Sequence, residues 1–157
     1  MLRLPAALTE PRQPFRAIGV GWLLAFPVSI LLAVLAQWLL PAAGRPSFDV
    51  AGPGMVALLV IFAPLVETLI MAAFLELLLR FMPPAAAIAF SAIGWGVAHS
   101  LLAPAWGLVI WWPFLIFSTL YVTWSKRSVL AGIGIAFTVH ALQNLGPALL
   151  LLSEAGA

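Results

Sequence analysis

A chain of 157 residues with 64% hydrophobic side chains, 8% charged ones and a mean hydropathy of +1.16 is not a soluble globule, in which about 25% of residues carry charge. Its formal net charge of +2 comes from basic residues scattered at the edges of apolar runs, and these form no basic face for a nucleic acid. Cysteine is absent, which removes thiolate nucleophiles, disulfide frameworks and cysteine metal sites from consideration.

The length suits one membrane-embedded domain, residues 1–157, of about five spans at around 20 apolar residues each. The long apolar runs lack the alternation of barrel strands, so the expected fold is all-α, a polytopic transmembrane helical bundle. Lys126 is the one lysine among otherwise arginine basic residues, a usage that points to a bacterium.

In chain order, residues 1–16 hold Arg3, Arg12 and Arg16 among prolines and read as a short cytoplasmic tail without a cleavage site. The first span runs over about 17–40, an anchor with Trp22 and Trp38 toward its ends. Turn formers from Pro41 to Pro53, with Arg45 and Asp49, predict a wet loop. The next apolar run is too long for one span. Pro64 removes a helical donor, which predicts a short lead-in helix and then a restart, with a span over about 64–82. Glu67 then falls in the first turn of that span, where the helix dipole favours a negative charge. Glu76 and Arg80, four residues apart, are expected to pair and snorkel toward water.

A span over about 85–103 presents Ala92, Gly96 and Ser100 along one stripe, a surface for close helix packing, with His99 beside it. The span over about 105–124 carries no ionisable group except Tyr121 and reads as packing. A last span, about 129–152, contains His140 and Asn144 on one helical face. Positive charge at Arg3, Arg12, Arg16, Arg80, Lys126 and Arg127 against Arg45 alone puts the N-terminus in the cytoplasm of a multi-pass cell-membrane protein.

The polar groups of the spans need partners, because a charge at mid-membrane costs about 2.5–3.5 kcal/mol on insertion scales. The economical arrangement is one buried pocket holding Glu67, His99, His140 and Asn144 from three spans. A carboxylate, two imidazoles and an amide suit a hydrolase that activates water. In that scheme Glu67 is the general base, His99 holds the water, and His140 with Asn144 faces a developing oxyanion. Each residue also has a plainer reading. A membrane histidine is commonly a strut between helices, and a buried glutamate serves equally in a proton-coupled transporter. Glu67, His99 and His140 would also make a ligand set for a divalent ion such as zinc. Without a His-Glu-x-x-His helix, a site with no metal or other cofactor is favoured.

The ordered motifs resemble the CPBP family of intramembrane proteases, which includes CAAX-prenyl endopeptidases and Abi proteins. The family pattern is Glu-Glu-x-x-x-Arg, then Phe-x-x-x-His, then His-x-x-x-Asn. This chain has Ala63-Pro64-Leu65-Val66-Glu67, Trp95-Gly96-Val97-Ala98-His99 and His140-Ala141-Leu142-Gln143-Asn144. The resemblance implies a glutamate-dependent endopeptidase. Glu67 and His99 would activate water, and His140 and Asn144 would form the oxyanion site. Thr68 stands where the second glutamate is expected, Ala72 where the arginine is expected, and Trp95 replaces the phenylalanine. Loss of both members of a buried ion pair is compatible with an intact fold, whereas loss of one strands a charge.

The expected partners are the lipid bilayer and a membrane-associated peptide or protein substrate, such as a C-terminal sorting segment. The alternative function is an inactive relative acting as a membrane partner or immunity protein.

Overall fold

The computed structural model describes residues 5–43 and 52–155. Arg3 of the expected tail, and Arg45 and Asp49 of the expected loop, lie outside the described residues. Within them the chain is all helix, with no strand. In order come α1 (Ala6–Thr9), α2 (Pro14–Leu39), a 3-10 turn (Pro41–Ala43), α3 (Pro53–Ala57), a π turn (Leu58–Phe62), α4 (Ala63–Leu78), α5 (Pro84–Ser100), α6 (Gly107–Trp124) and α7 (Val129–Ala155).

Prolines mark the helix starts. Pro14, Pro53 and Pro84 each sit in the first two positions of a helix, where a missing N–H leaves no intrahelical bond broken. Pro83 is extended ahead of Pro84, as a residue before proline prefers.

The helices over Pro14–Leu39, Gly54–Leu78, Gly107–Trp124 and Val129–Ser153 are long and apolar enough to cross a membrane. The chain is therefore a polytopic membrane bundle. α5, 17 residues long, is shorter than these four and packs most extensively on α6.

α6 is the hub. It contacts α1, α2, α4, α5 and α7, and almost every residue from Pro113 to Trp124 is buried. A helix that is apolar on all sides belongs in the middle of a bundle. Lipid tails are as apolar as leucine side chains, so the helices are held by shape fit and hydrogen bonds more than by transfer from water.

The stripe on α5 supplies that fit. A Cβ on Gly107 would run into the Gly96 carbonyl and the Ser100 hydroxyl, so α5 and α6 meet backbone to backbone there. At the far end of α6, Thr123 donates to the Leu8 carbonyl at 2.7 Å, and Leu8 is fully buried. The expected N-terminal tail is thus partly folded back under the bundle as α1. Arg127 also donates to the Pro11 carbonyl at 3.4 Å, which places the N-terminal segment and the α6–α7 turn at the same end of the molecule.

Two local expectations change. The lead-in before Pro64 does not break and restart: α3, the π turn and α4 form one continuous helix. Glu67 accordingly lies well inside the Gly54–Leu78 helix, and no acidic residue occupies the first turn of α4. The dipole argument for its charge therefore lapses. At the other end α4 stops at Leu78 and Arg80 sits in the turn beyond it, which removes the four-residue helical spacing from Glu76. The partner of Glu76 is the Tyr121 hydroxyl, which donates to its Oε1 at 2.8 Å.

Candidate active site

Glu67 and Thr68 are adjacent on α4 and both reach His140 on α7. Glu67 Oε2 lies 3.4 Å from His140 Nε2, and Thr68 Oγ1 lies 3.4 Å from His140 Nδ1. Both separations exceed the roughly 2.7–3.2 Å of a tight hydrogen bond. With an ionised Glu67, the Nε2–H of a neutral His140 donates to the carboxylate and Nδ1 accepts from Thr68. With a protonated Glu67, each donor and acceptor exchanges its part. Carboxyl, imidazole and hydroxyl thus form a line along which a proton can be redistributed.

Burial divides the three unequally. Thr68 is fully buried and the His140 side chain is 4% exposed, while the Glu67 side chain is 27% exposed. Its neighbours Val66, Leu69 and Ile70 face outward. The carboxyl group therefore sits at the border between the packed interior and the surrounding lipid, with His140 behind it.

His99 belongs to a neighbouring group. Its Nδ1–H donates to the Trp95 carbonyl one turn back, at 2.8 Å, which leaves Nε2 as the acceptor of the neutral ring. Its ring lies edge-on to Trp106, with centroids 4.8 Å apart. Phe114 on α6 packs against both imidazoles, with centroids 5.8 Å from His99 and 5.2 Å from His140. Trp95 stacks on Phe114 at 4.4 Å, and Phe117 stacks on His140 at 4.6 Å.

Asn144 is one turn beyond His140 on α7, and its Nδ2 donates to the Leu59 carbonyl in the π turn at 3.0 Å. In this structure the donors expected to share an oxyanion therefore point at different groups. His140 meets Glu67 and Thr68, and Asn144 meets the backbone ahead of Glu67. Among the described residues, no three histidine or acidic side chains converge as a metal-ligand set.

Of the four residues singled out in the sequence, the structure joins Glu67 to His140, ties Asn144 to the same helix as Glu67, and packs His99 on Phe114, which also meets His140. Thr68, Phe114 and Phe117 are additions. Thr68 was visible as a hydroxyl beside the intramembrane glutamate. Nothing distinguished Phe114 and Phe117 from other aromatics in an apolar span. Ala72, where the family pattern has arginine, is packed in the core among Met71 and Leu75. Comparison of the chain with protein-family models, curated proteins and solved structures finds no match.

Proposed function

We propose that this protein is an intramembrane endopeptidase of the CPBP type that uses Glu67 to activate water. The carrying observation is the contact of a partly exposed intramembrane carboxyl with a buried imidazole, 3.4 Å from Oε2 to Nε2. A water on the outward side of Glu67 gives its proton to the carboxylate as its oxygen attacks a peptide carbonyl, and the carboxyl passes that proton to the leaving amine as the C–N bond breaks. His140 holds the carboxyl group in place and shares its charge, and Thr68 fixes the His140 ring. His99, with Nδ1 occupied, presents Nε2 to the reacting groups. Asn144 has a second amide hydrogen for an oxyanion beside its bond to Leu59.

The outward flank of Glu67 suits a substrate that arrives sideways from the bilayer. Arg12, Arg16, Lys126 and Arg127 cluster at the end of the bundle shared by the N-terminus and the α6–α7 turn, and positive charge favours the cytoplasm. With that orientation Glu67 and His140, each near the middle of its helix, would act at mid-depth in a bacterial cell membrane, and the C-terminal sorting segment of an exported protein is a fitting substrate. The test is terminal proteomics of membranes from cells carrying wild type, Glu67→Gln or no copy. New termini present only with wild type support the reading, and termini that persist with Glu67→Gln overturn it.

One observation favours a second reading. Both His140 nitrogens already have protein partners and Thr68 is sealed, so the same group works as a clamp in an inactive membrane partner. In that case Glu67→Ala leaves the cellular phenotype intact, while a packing change at Gly96 or Gly132 abolishes it.

A further inference from the structure

We infer that Asn144 is a positioning residue that supplies, from α7, the hydrogen-bond donor Pro64 withholds from its own helix. In the π turn the Ala63 N–H bonds to the Leu58 carbonyl, an i→i+5 register. The next donor in that register belongs to residue 64. Residue 64 is proline and has no N–H, so the Leu59 carbonyl is left without its helical partner. A bare carbonyl inside a bilayer has no water to turn to. The Asn144 amide fills the place at 3.0 Å.

The bond matters to the site because of where the π turn lies. An α-helix advances about 100° per residue, and a π turn holds extra chain within the same rise. It therefore sets the rotation between the upstream segment and α4. Both parts pack on α7, the upstream segment beside Asn144 and α4 beside His140. Asn144 and His140, one turn apart, thus grip the helix above and at Glu67. Release of the upper grip lets the turn re-register and loosens Glu67 against His140.

This inference concerns the arrangement of Glu67 and does not need the peptidase reading, so its test uses no substrate. The chain has 2 histidines, and selective 15N labelling of both gives an assigned pair. His99, fastened to Trp95 on another helix, is the internal control. The proteins are the full chain in detergent micelles: wild type, Asn144→Leu, Pro64→Ala and the double variant.

Asn144→Leu keeps the side-chain size and removes the donor. It is expected to shift the His140 imidazole signals, leave those of His99 in place and lower Tm by about 4 °C. Pro64→Ala restores a backbone N–H, so the double variant is expected to return both readouts toward wild type. Should Asn144→Leu fail to fold, recovery of a folded double variant is the same result. Unchanged His140 signals in Asn144→Leu, or a defect that Pro64→Ala does not relieve, overturn the inference.

Discussion

Thr68 Oγ1 lies 3.4 Å from His140 Nδ1, in a part of the bundle where neither residue is open to its surroundings. Thr68, one of three positions that differ from the protease pattern the chain resembles, is thus a direct partner of the histidine that meets Glu67. Thr68→Val keeps the shape and deletes the hydroxyl, which strands a buried ring nitrogen at a cost of about 1–3 kcal/mol. Thermal unfolding in detergent should register that loss, and Thr68→Ser should retain most of the stability. An unchanged Thr68→Val protein would mean that the contact carries no weight.

Restoring the motif arginine is expected to fail. Ala72 is 4% exposed and packed against Met71 and Leu75, and a long cation there overfills the core and has no acidic partner. Ala72→Arg should reduce folded protein sharply, and Thr68→Glu in the same chain should not restore it, because the space is missing as well as the charge. Yield of monodisperse protein after solubilisation is the measurement.

Two glycines give a matched contrast. Gly107→Ala drives a methyl group into the Gly96 carbonyl and the Ser100 hydroxyl, whereas a Cβ at Gly134 meets nothing within 4 Å. The first substitution should separate α5 from α6 and destabilise the protein severely. The second should be neutral or stabilising by up to about 1 kcal/mol, the helix-propensity gain from glycine to alanine. Comparison of the two melting curves checks both signs at once.

Much of the architecture could be read in advance. Hydropathy located α2, α5, α6 and α7 within a few residues, prolines marked the starts of α2 and α5, and the small-residue stripe on α5 announced the α6 contact. Glu67, His140 and Asn144 stood out because polar groups in an apolar span are conspicuous. Their partners did not. Whether Pro64 ends a helix or is absorbed in a π turn depends on a donor from residue 144, which no local pattern contains. Tyr121 reaches Glu76 only through the packing of α6 on α4. The link between Thr68 and His140 is likewise made only by the approach of α4 to α7.

Phe114 is expected to govern both imidazoles. It is 1% exposed and touches the rings of Trp95, His99 and His140. Phe114→Leu should disturb the 15N signals of both histidines together, unlike the change at Asn144. Phe114→Ala should cost less than the about 3–5 kcal/mol seen for aromatic truncation in soluble cores, since transfer from water contributes little within a bilayer.

Tyr121→Phe removes the donor to Glu76 Oε1 and leaves the ring packed. Glu76 is exposed and can find another partner, so the expected loss is about 0.5–1.5 kcal/mol. A larger loss, measured by unfolding, would show that this link between α4 and α6 is a principal fastening of the bundle.

The seat of α1 has a consequence for biogenesis. Leu8, near the start of the chain, is enclosed by a contact whose hydroxyl donor is Thr123. The ribosome makes residue 8 long before residue 123, so the first helix must wait at the membrane surface while most of the bundle is inserted. Only then can it dock. Closure of the N-terminal segment is thus a late assembly step, and a bulky N-terminal fusion would be felt at the base of α6.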